Sequence, residues 1–287
     1  MELVDERVFV VGVNEVGELV TCGTEEIESL EVSNYLTCLQ TDDKLVVPAR
    51  ATFGGVYPPA TEHVYKTIYC GLIGVGSPSK LEIRFPPGYF LPEVFDAQIK
   101  TVESIADFTK IEDVSFHIEV DTWHSNSLSK GNRKKIRQCK DIGVILKKDD
   151  HENIDNVYDL IYQNRLTKGV TPSISQIQLE TALRIFPDEY EIFSLYLFGE
   201  LIATAITVML DSNVRYVYMW ADHANHRTLS PTAMLCEEIV SDAKNKGIKI
   251  VDLGTASLHG EIDAGLARFK TNLGAVPTTK ISFERYN

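Results

Sequence analysis

The chain has 287 residues, 44% hydrophobic and 24% charged, with a formal net charge of −13. These totals describe a globular protein long enough for two modest domains. The acidic balance argues against a protein that coats nucleic acid or an anionic membrane. No run of about eighteen apolar residues occurs, and the start "MELVDERVFV" lacks the basic residues and apolar stretch of a signal peptide, so no membrane insertion and a cytoplasmic location are expected. Five cysteines without any CxxC spacing fit buried thiols in a reducing compartment.

From the N-terminus, "RVFVVGV" and "KLVVPARATF" read as strands, and "TFGGVYPPAT" as a loop rich in Gly and Pro. "ATEHVYKTIYCGLIG" suits a helix, "KLEIRFPP" a strand stopped by prolines, "EVFDAQIKTVESIADF" a helix, and "VSFHIEVDTW" an alternating strand. The next helix has Ser129 as N-cap and stops at Gly143. It belongs to the segment 128–148, which holds eight Lys or Arg against one Asp, a local charge of +7 on an acidic chain. Such a stretch is either a solvated helix face or a seat for a phosphate-bearing ligand, with Lys130, Arg133, Lys134 and Arg137 as the candidate phosphate-binding residues.

Two helices follow, "NIDNVYDLIYQNRLTKG" and "SISQIQLETALRIF". After them come three strand-like runs in an antiparallel meander: "EIFSLYLF", "LIATAITVML" and "VRYVYMWAD". "SPTAMLCEEIVSDAKNKG" is a helix with Ser230 as N-cap, Pro231 at its first position and Gly247 at its end. "IKIVDLG" is a buried strand, "GLARFKTNLG" a short helix capped by Gly274, and "TTKISFERY" a last strand.

Three features of this second half carry chemistry. Leu266, Phe269 and Leu273 form an apolar stripe on the short helix. At roughly 100° per residue, Lys270 lies about 40° from Leu266, at the stripe's margin. Its stem either covers apolar surface with the ammonium in water, or its cation lines a cleft. Asp252 shares a strand face with Ile248 and Ile250, to orient an amine or to pair with Arg268 or Lys270. Tyr216, Tyr218 and Trp220 alternate against Val217 and Met219, forming an aromatic wall that is either core or a surface for a substrate. Asp222, His223 and His226 are close in sequence, but no third distant ligand can be identified, so no metal is expected.

Taken together, "SKGNRKKIRQCKDIGV", "YDLIYQNRLTKG", "GELIATAITVML", "RYVYMWAD" and "IKIVDLGTAS" leading into "LARFKTNLGA" resemble the Gcn5-related N-acyltransferase (GNAT) fold. The whole chain resembles its Fem-like branch, which has two such domains in tandem. The resemblance implies an α/β fold of α+β type, with two GNAT-like domains, 1–148 and 149–287, each a mixed, largely antiparallel sheet flanked by helices. It implies transfer of an acyl or aminoacyl group from an activated donor, acyl-CoA or aminoacyl-tRNA, to a small-molecule or peptide amine in a cleft between domains. The donor is a co-substrate, and no tightly bound cofactor is implied.

By motif match, Phe269 and Lys270 border the cleft, Arg165 and Lys168 stand where relatives bind substrate, and the loop Phe53, Gly54 and Gly55 stands near the substrate. Lys270, Asp252 and Tyr218 are the catalytic candidates, with Tyr216 and Trp220 as substrate contacts, and the basic helix would hold donor phosphates or tRNA. The segment "HRTLSPTAM" has no glycine where CoA-using relatives carry a pyrophosphate loop, and Pro231 removes a donor there. A non-catalytic binding or assembly protein with a degenerate double fold, or a carrier-protein thioester as donor, are the competing readings.

Overall fold

The computed structural model describes residues 7–41, 43–49, 51–75 and 78–287, without the side chain of His151. The expected strand over 44–53 includes Arg50, which lies outside the described residues. The chain forms two compact units: Met1–Val114 with Ser257–Ile262 and Thr278–Asn287, and Ser115–Ala256 with Asp263–Pro277.

The first unit contains β1 (Arg7–Asn14), β2 (Leu19–Cys22), β3 (Val32–Gln40), β4 (Lys44–Val47), α1 (Glu62–Gly74), β5 (Lys80–Pro87) and α2 (Pro92–Glu103). Helix α1 begins where the Thr61 side chain accepts the Val64 N–H, and it buries Tyr65, Ile68, Tyr69 and Leu72, spaced for one helical face. That face packs on Phe9, Val11, Leu36, Leu45, Ile83 and Phe85 of the strands. Gln98 of α2 is fully buried and satisfied, accepting from Val56 N–H and the Tyr69 hydroxyl. Strands β2 and β3 are additions to the sequence reading, which has no element between residues 14 and 44.

The second unit draws on β6 (Thr109–Glu119), α3 (Lys130–Asp141), β7 (Ile145–Asp149), α4 (Ile154–Leu166), α5 (Gln176–Ile185), β8 (Tyr190–Leu197), β9 (Glu200–Met209), β10 (Val214–Asp222), α6 (Pro231–Asn245) and β11 (Ile250–Thr255). After the short hairpin β12 (Ser257–Leu258) and β13 (Glu261–Ile262) of the first unit come α7 (Ala264–Asn272) and β14 (Val276–Tyr286). The second unit's sheet runs β6-β11-β10-β9-β8-β7, antiparallel except for the β10–β11 pair. The expected meander is β8, β9 and β10. Its first turn is Phe198–Gly199, both with positive φ, the geometry a two-residue hairpin prefers.

The units are not divided at residue 148. β6 pairs with β11, and α3 packs on α6, so the elements from Ser115 onward join the second unit, while 278–287 pair with β5 in the first. Long-range strand pairing decides this, and it leaves no mark in local composition. Ser230 does not act as a side-chain cap either: it has φ 50° and makes no capping bond, so α6 starts from a left-handed backbone residue. Among the described residues no helix is long and apolar enough to cross a membrane.

A buried ion network ties the second unit's sheet to α6. Arg215 on β10 has no exposed surface. It donates to Glu191 of β8 and, at 2.7 Å, to Asp242 of α6, and its guanidinium lies over Phe193. Lys148 binds the same two carboxylates at 2.7 and 2.6 Å, and Lys246 binds Glu191 at 2.6 Å. Burial by itself would raise both carboxyl pKa values, but hydrogen bonds from Lys148 and Lys246 to Glu191 and from Lys148 and Arg215 to Asp242, with the charge of Arg215, outweigh it and hold both below the usual range.

Candidate functional site

Three side chains stand in one row across the sheet: Tyr216 of β10 pairs in register with Asp252 of β11, which pairs with His117 of β6. Residues directly opposite in a ladder project to the same face, so a phenol, a carboxylate and an imidazole are neighbours. Beyond Asp252 the ladder slips before Thr255, and Gly254 sits in the slip with φ +77°. The Asp252 carboxylate accepts the Gly254 N–H at 2.7 Å and fixes that turn.

Lys270 comes to this turn from α7. Asp263 caps the helix by accepting the Leu266 N–H, and Gly274, at φ +83°, ends it. Lys270 is only 3% exposed, and its ammonium donates to the carbonyls of Gly254 at 2.8 Å and Thr255 at 2.6 Å. An ammonium carries three donors, so these bonds leave one. Burial pulls its pKa down to about 8, with the charge of Asp252 opposing the fall. The snorkelling alternative does not describe this lysine, whose charged end is inside.

Gly254 lies between the Tyr216 ring and the Lys270 ammonium. A Cβ there would lie 3.7 Å from the Tyr216 hydroxyl and 4.0 Å from Lys270 Nζ. Alanine would fit the space but not the backbone, because a left-handed conformation costs a residue with a Cβ about 1–2 kcal/mol. Urea unfolding of Gly254→Ala should show a loss of that size, and an unchanged midpoint would contradict the strain argument.

The aromatic strand is built differently from the simple alternation. Tyr216 pairs with Val208, Val217 with Thr207, Met219 with Ile206 and Trp220 with Ala205, so Tyr218 is the extra residue of a bulge. Met219 therefore shares the face of Tyr216, and Trp220 that of Val217. Tyr216 and Tyr218 nonetheless meet, with ring centres 6.2 Å apart. Tyr218 packs against the α4–α5 cluster, and burial raises its pKa, with Tyr190 adding to the rise and a hydrogen bond with Ser173 opposing it. The phenol beside Gly254 is that of Tyr216, while Trp220 meets Phe269 edge-on at 5.7 Å between ring centres.

His117 and Ser115 are absent from the sequence-based candidates. Both are buried, and burial lowers the His117 pKa, with Glu119 opposing. The one available signal was a histidine at an interior position of the alternating strand "VSFHIEV".

The fold matches a known family. A family model for the acetyltransferase (GNAT) domain matches residues 127–271, half of the chain. The chain belongs to the GNAT acetyltransferase family. No curated protein matches it in sequence. Among solved structures, FemX is similar at TM-score 0.63 and 13% identity, covering 98% of this chain and 88% of that one. L-PGS from Bacillus licheniformis gives 0.60 and 13%, covering 89% and 82%. A tandem GNAT protein from the clavulanic acid biosynthesis pathway gives 0.52 and 11%, covering 98% and 83%. At such identities these likenesses establish the fold, a Fem-like tandem arrangement of GNAT domains, and leave the chemistry to the residues.

The remaining candidates fall into separate groups. In the GNAT unit, Arg165 and Lys168 end α4 beside Asp222 and Arg227. The Lys168 pKa is lowered by partial desolvation and then by Arg165 and Arg227, with Asp222 opposing. On α3, Lys130, Lys134 and Arg137 are exposed, whereas Arg133 donates to the carbonyls of Asn126 and Leu128, both at 3.1 Å. Phe53, Gly54 and Gly55 belong to the first unit. There Phe53 packs on Phe90, Gly54 N–H donates to Arg84, and a Cβ on Gly55 would strike Gln98 Oε1 at 2.5 Å.

Proposed function

We propose that this GNAT protein transfers an aminoacyl group from a charged tRNA to an amine acceptor, with Lys270 as the cation that stabilises the tetrahedral oxyanion. The observation that carries the reading is the buried Lys270 ammonium, clamped by two carbonyls at the Gly254 turn. A fixed donor in a water-poor site needs no reorganisation as charge develops on a carbonyl oxygen, which is where such donors lower a barrier most. Asp252 holds the turn and its charge opposes the fall of the Lys270 pKa, and the Tyr216 phenol stands at the same turn.

The choice of tRNA over CoA rests on α3 and α6. Lys130, Lys134 and Arg137 are at spacings of four and three, so they line one exposed helix face over about 10 Å. That length suits successive phosphates of a nucleic-acid backbone better than one pyrophosphate. Helix α3 is fixed to the segment before α6 by Lys135 on the Thr228 carbonyl at 2.5 Å, and to α6 itself by the Lys140–Glu237 pair at 2.6 Å. Pro231 at the start of α6 withholds one of the N–H groups a pyrophosphate would use.

Binding of bulk aminoacyl-tRNA, deacylated tRNA and acetyl-CoA, each at low and moderate salt, tests this. The expected result is tRNA binding that falls steeply with salt, with a smaller salt slope in Lys134→Ala and Arg137→Ala. Salt-insensitive binding of acetyl-CoA alone would replace the tRNA donor with a CoA one. Binding of neither donor would favour a non-catalytic double fold.

A further inference from the structure

We infer that Glu200, His223 and His226 form a binding site for one divalent transition-metal ion of the zinc type. The two histidines are close in sequence, and the third ligand comes from the sheet. Strand β9 begins at Glu200 and runs antiparallel to β10, with Ala203 opposite Asp222 and the His223 N–H donating to the Ile202 carbonyl at 2.9 Å. The carboxylate is thereby carried back beside the 3-10 turn Ala224–Leu229 that follows β10.

One ligand atom from each residue lies within 4.8 Å of the other two. His226 Nε2 is 3.1 Å from Glu200 Oε2, and His223 Nδ1 is 3.9 Å from Glu200 Oε1. In a tetrahedral site with metal–ligand bonds of about 2.0–2.1 Å, neighbouring ligand atoms are about 3.3 Å apart. The first pair already has that spacing, and the other ligand atoms, all within 4.8 Å of one another, would draw together on binding. The Asn225 N–H, now 3.3 Å from His223 Nδ1, would give up that long contact.

Without a metal, the contact between His226 Nε2 and the carboxylate requires a proton on that nitrogen; a divalent cation takes the proton's place. Two imidazoles and one carboxylate suit zinc, nickel or copper, and suit calcium or magnesium poorly. All three residues reach the surface, so a metal has an entry path and a fourth position for water. None of them belongs to the row around Lys270. The bound ion would tie the start of β9 to the segment that leads into α6.

The test is titration of the chelator-treated full chain, free of any polyhistidine extension, with Zn2+ by calorimetry, and with Co2+ followed by its visible absorption. The expected result is one saturable equivalent and a Co2+ spectrum of low coordination number. Loss of a direct ligand should weaken binding at least as much as loss of an outer-shell partner, roughly 10–100-fold, in each of His223→Ala, His226→Ala and Glu200→Gln. Binding in His63→Ala and His124→Ala should be unchanged. Should wild-type protein take up no stoichiometric metal, or should His223→Ala and His226→Ala bind as wild type does, the site does not exist. The Co2+ spectrum of the wild type decides the matter even where a variant is poorly folded.

Discussion

Replacing Lys270 by methionine will lower the rate of group transfer by about 100–1,000-fold, the usual effect of removing one oxyanion donor. Substrate binding should change much less, because the lost interaction belongs to the transition state. The substitution keeps the length of the side chain and removes the charge, so the same variant also reports on stability. The native pKa of about 8 lies below the ordinary lysine value of 10.5, so the folded state disfavours protonation. Below pH 8 the wild type carries the full cost, about 3 kcal/mol, and this cost disappears as the pH rises from 8 to 10.5. Wild type measured against Lys270→Met by urea unfolding should therefore gain stability across that window. A variant with near wild-type transfer rate would remove Lys270 from the chemistry, and a flat stability difference would remove it from the interior.

The second large effect is expected at Arg215. Arg215→Met deletes the cation that two carboxylates share inside the second unit, and removal of one partner from a buried ion group costs about 3–5 kcal/mol. The lower part of that range is expected, because Lys148 and Lys246 still reach Glu191 and Asp242. Adding Glu191→Gln and Asp242→Asn to the same chain should recover part of the loss, since the uncompensated charges go with them. An unfolding midpoint that stays at the wild-type value in Arg215→Met would show that the network adds nothing.

The contrast between Lys270 and Arg215 separates function from architecture. Both are buried cations. Arg215 has two carboxylates and an aromatic face against it, the composition of a structural network. Lys270 has two neutral carbonyls and a depressed pKa. A buried charge left short of counter-charge is costly, and such groups concentrate where chemistry is done.

Much of the second unit was legible because its signals are local. The meander β8–β10 shows as apolar runs separated by turn residues. Helix α3 shows its cap at Ser129 and its stop at Gly143, where the structure has a side-chain cap bond to Asn132 and a φ of +86°. Strand β3 was missed because Ser33 and Asn34 interrupt its apolar pattern, and its stability comes from β1 and β4 on either side. The bulge at Tyr218 was invisible for another reason: alternation in the sequence continues through it, while the ladder slips by one residue. Lys270 was found as a residue but not as a buried group, since only the packing of α7 on the Gly254 turn takes its ammonium out of water. Glu200 could not be joined to His223 and His226 before the pairing of β9 with β10 was known.

The most direct test of the account is the titration of Lys270 Nζ by heteronuclear NMR, with Lys270→Met identifying the resonance. The account predicts a midpoint near pH 8, as expected for an ammonium held inside by two carbonyls and one nearby carboxylate. A midpoint at the ordinary lysine value, about 10.5, would contradict it, because the cation would then be in water and not fixed at the Gly254 turn.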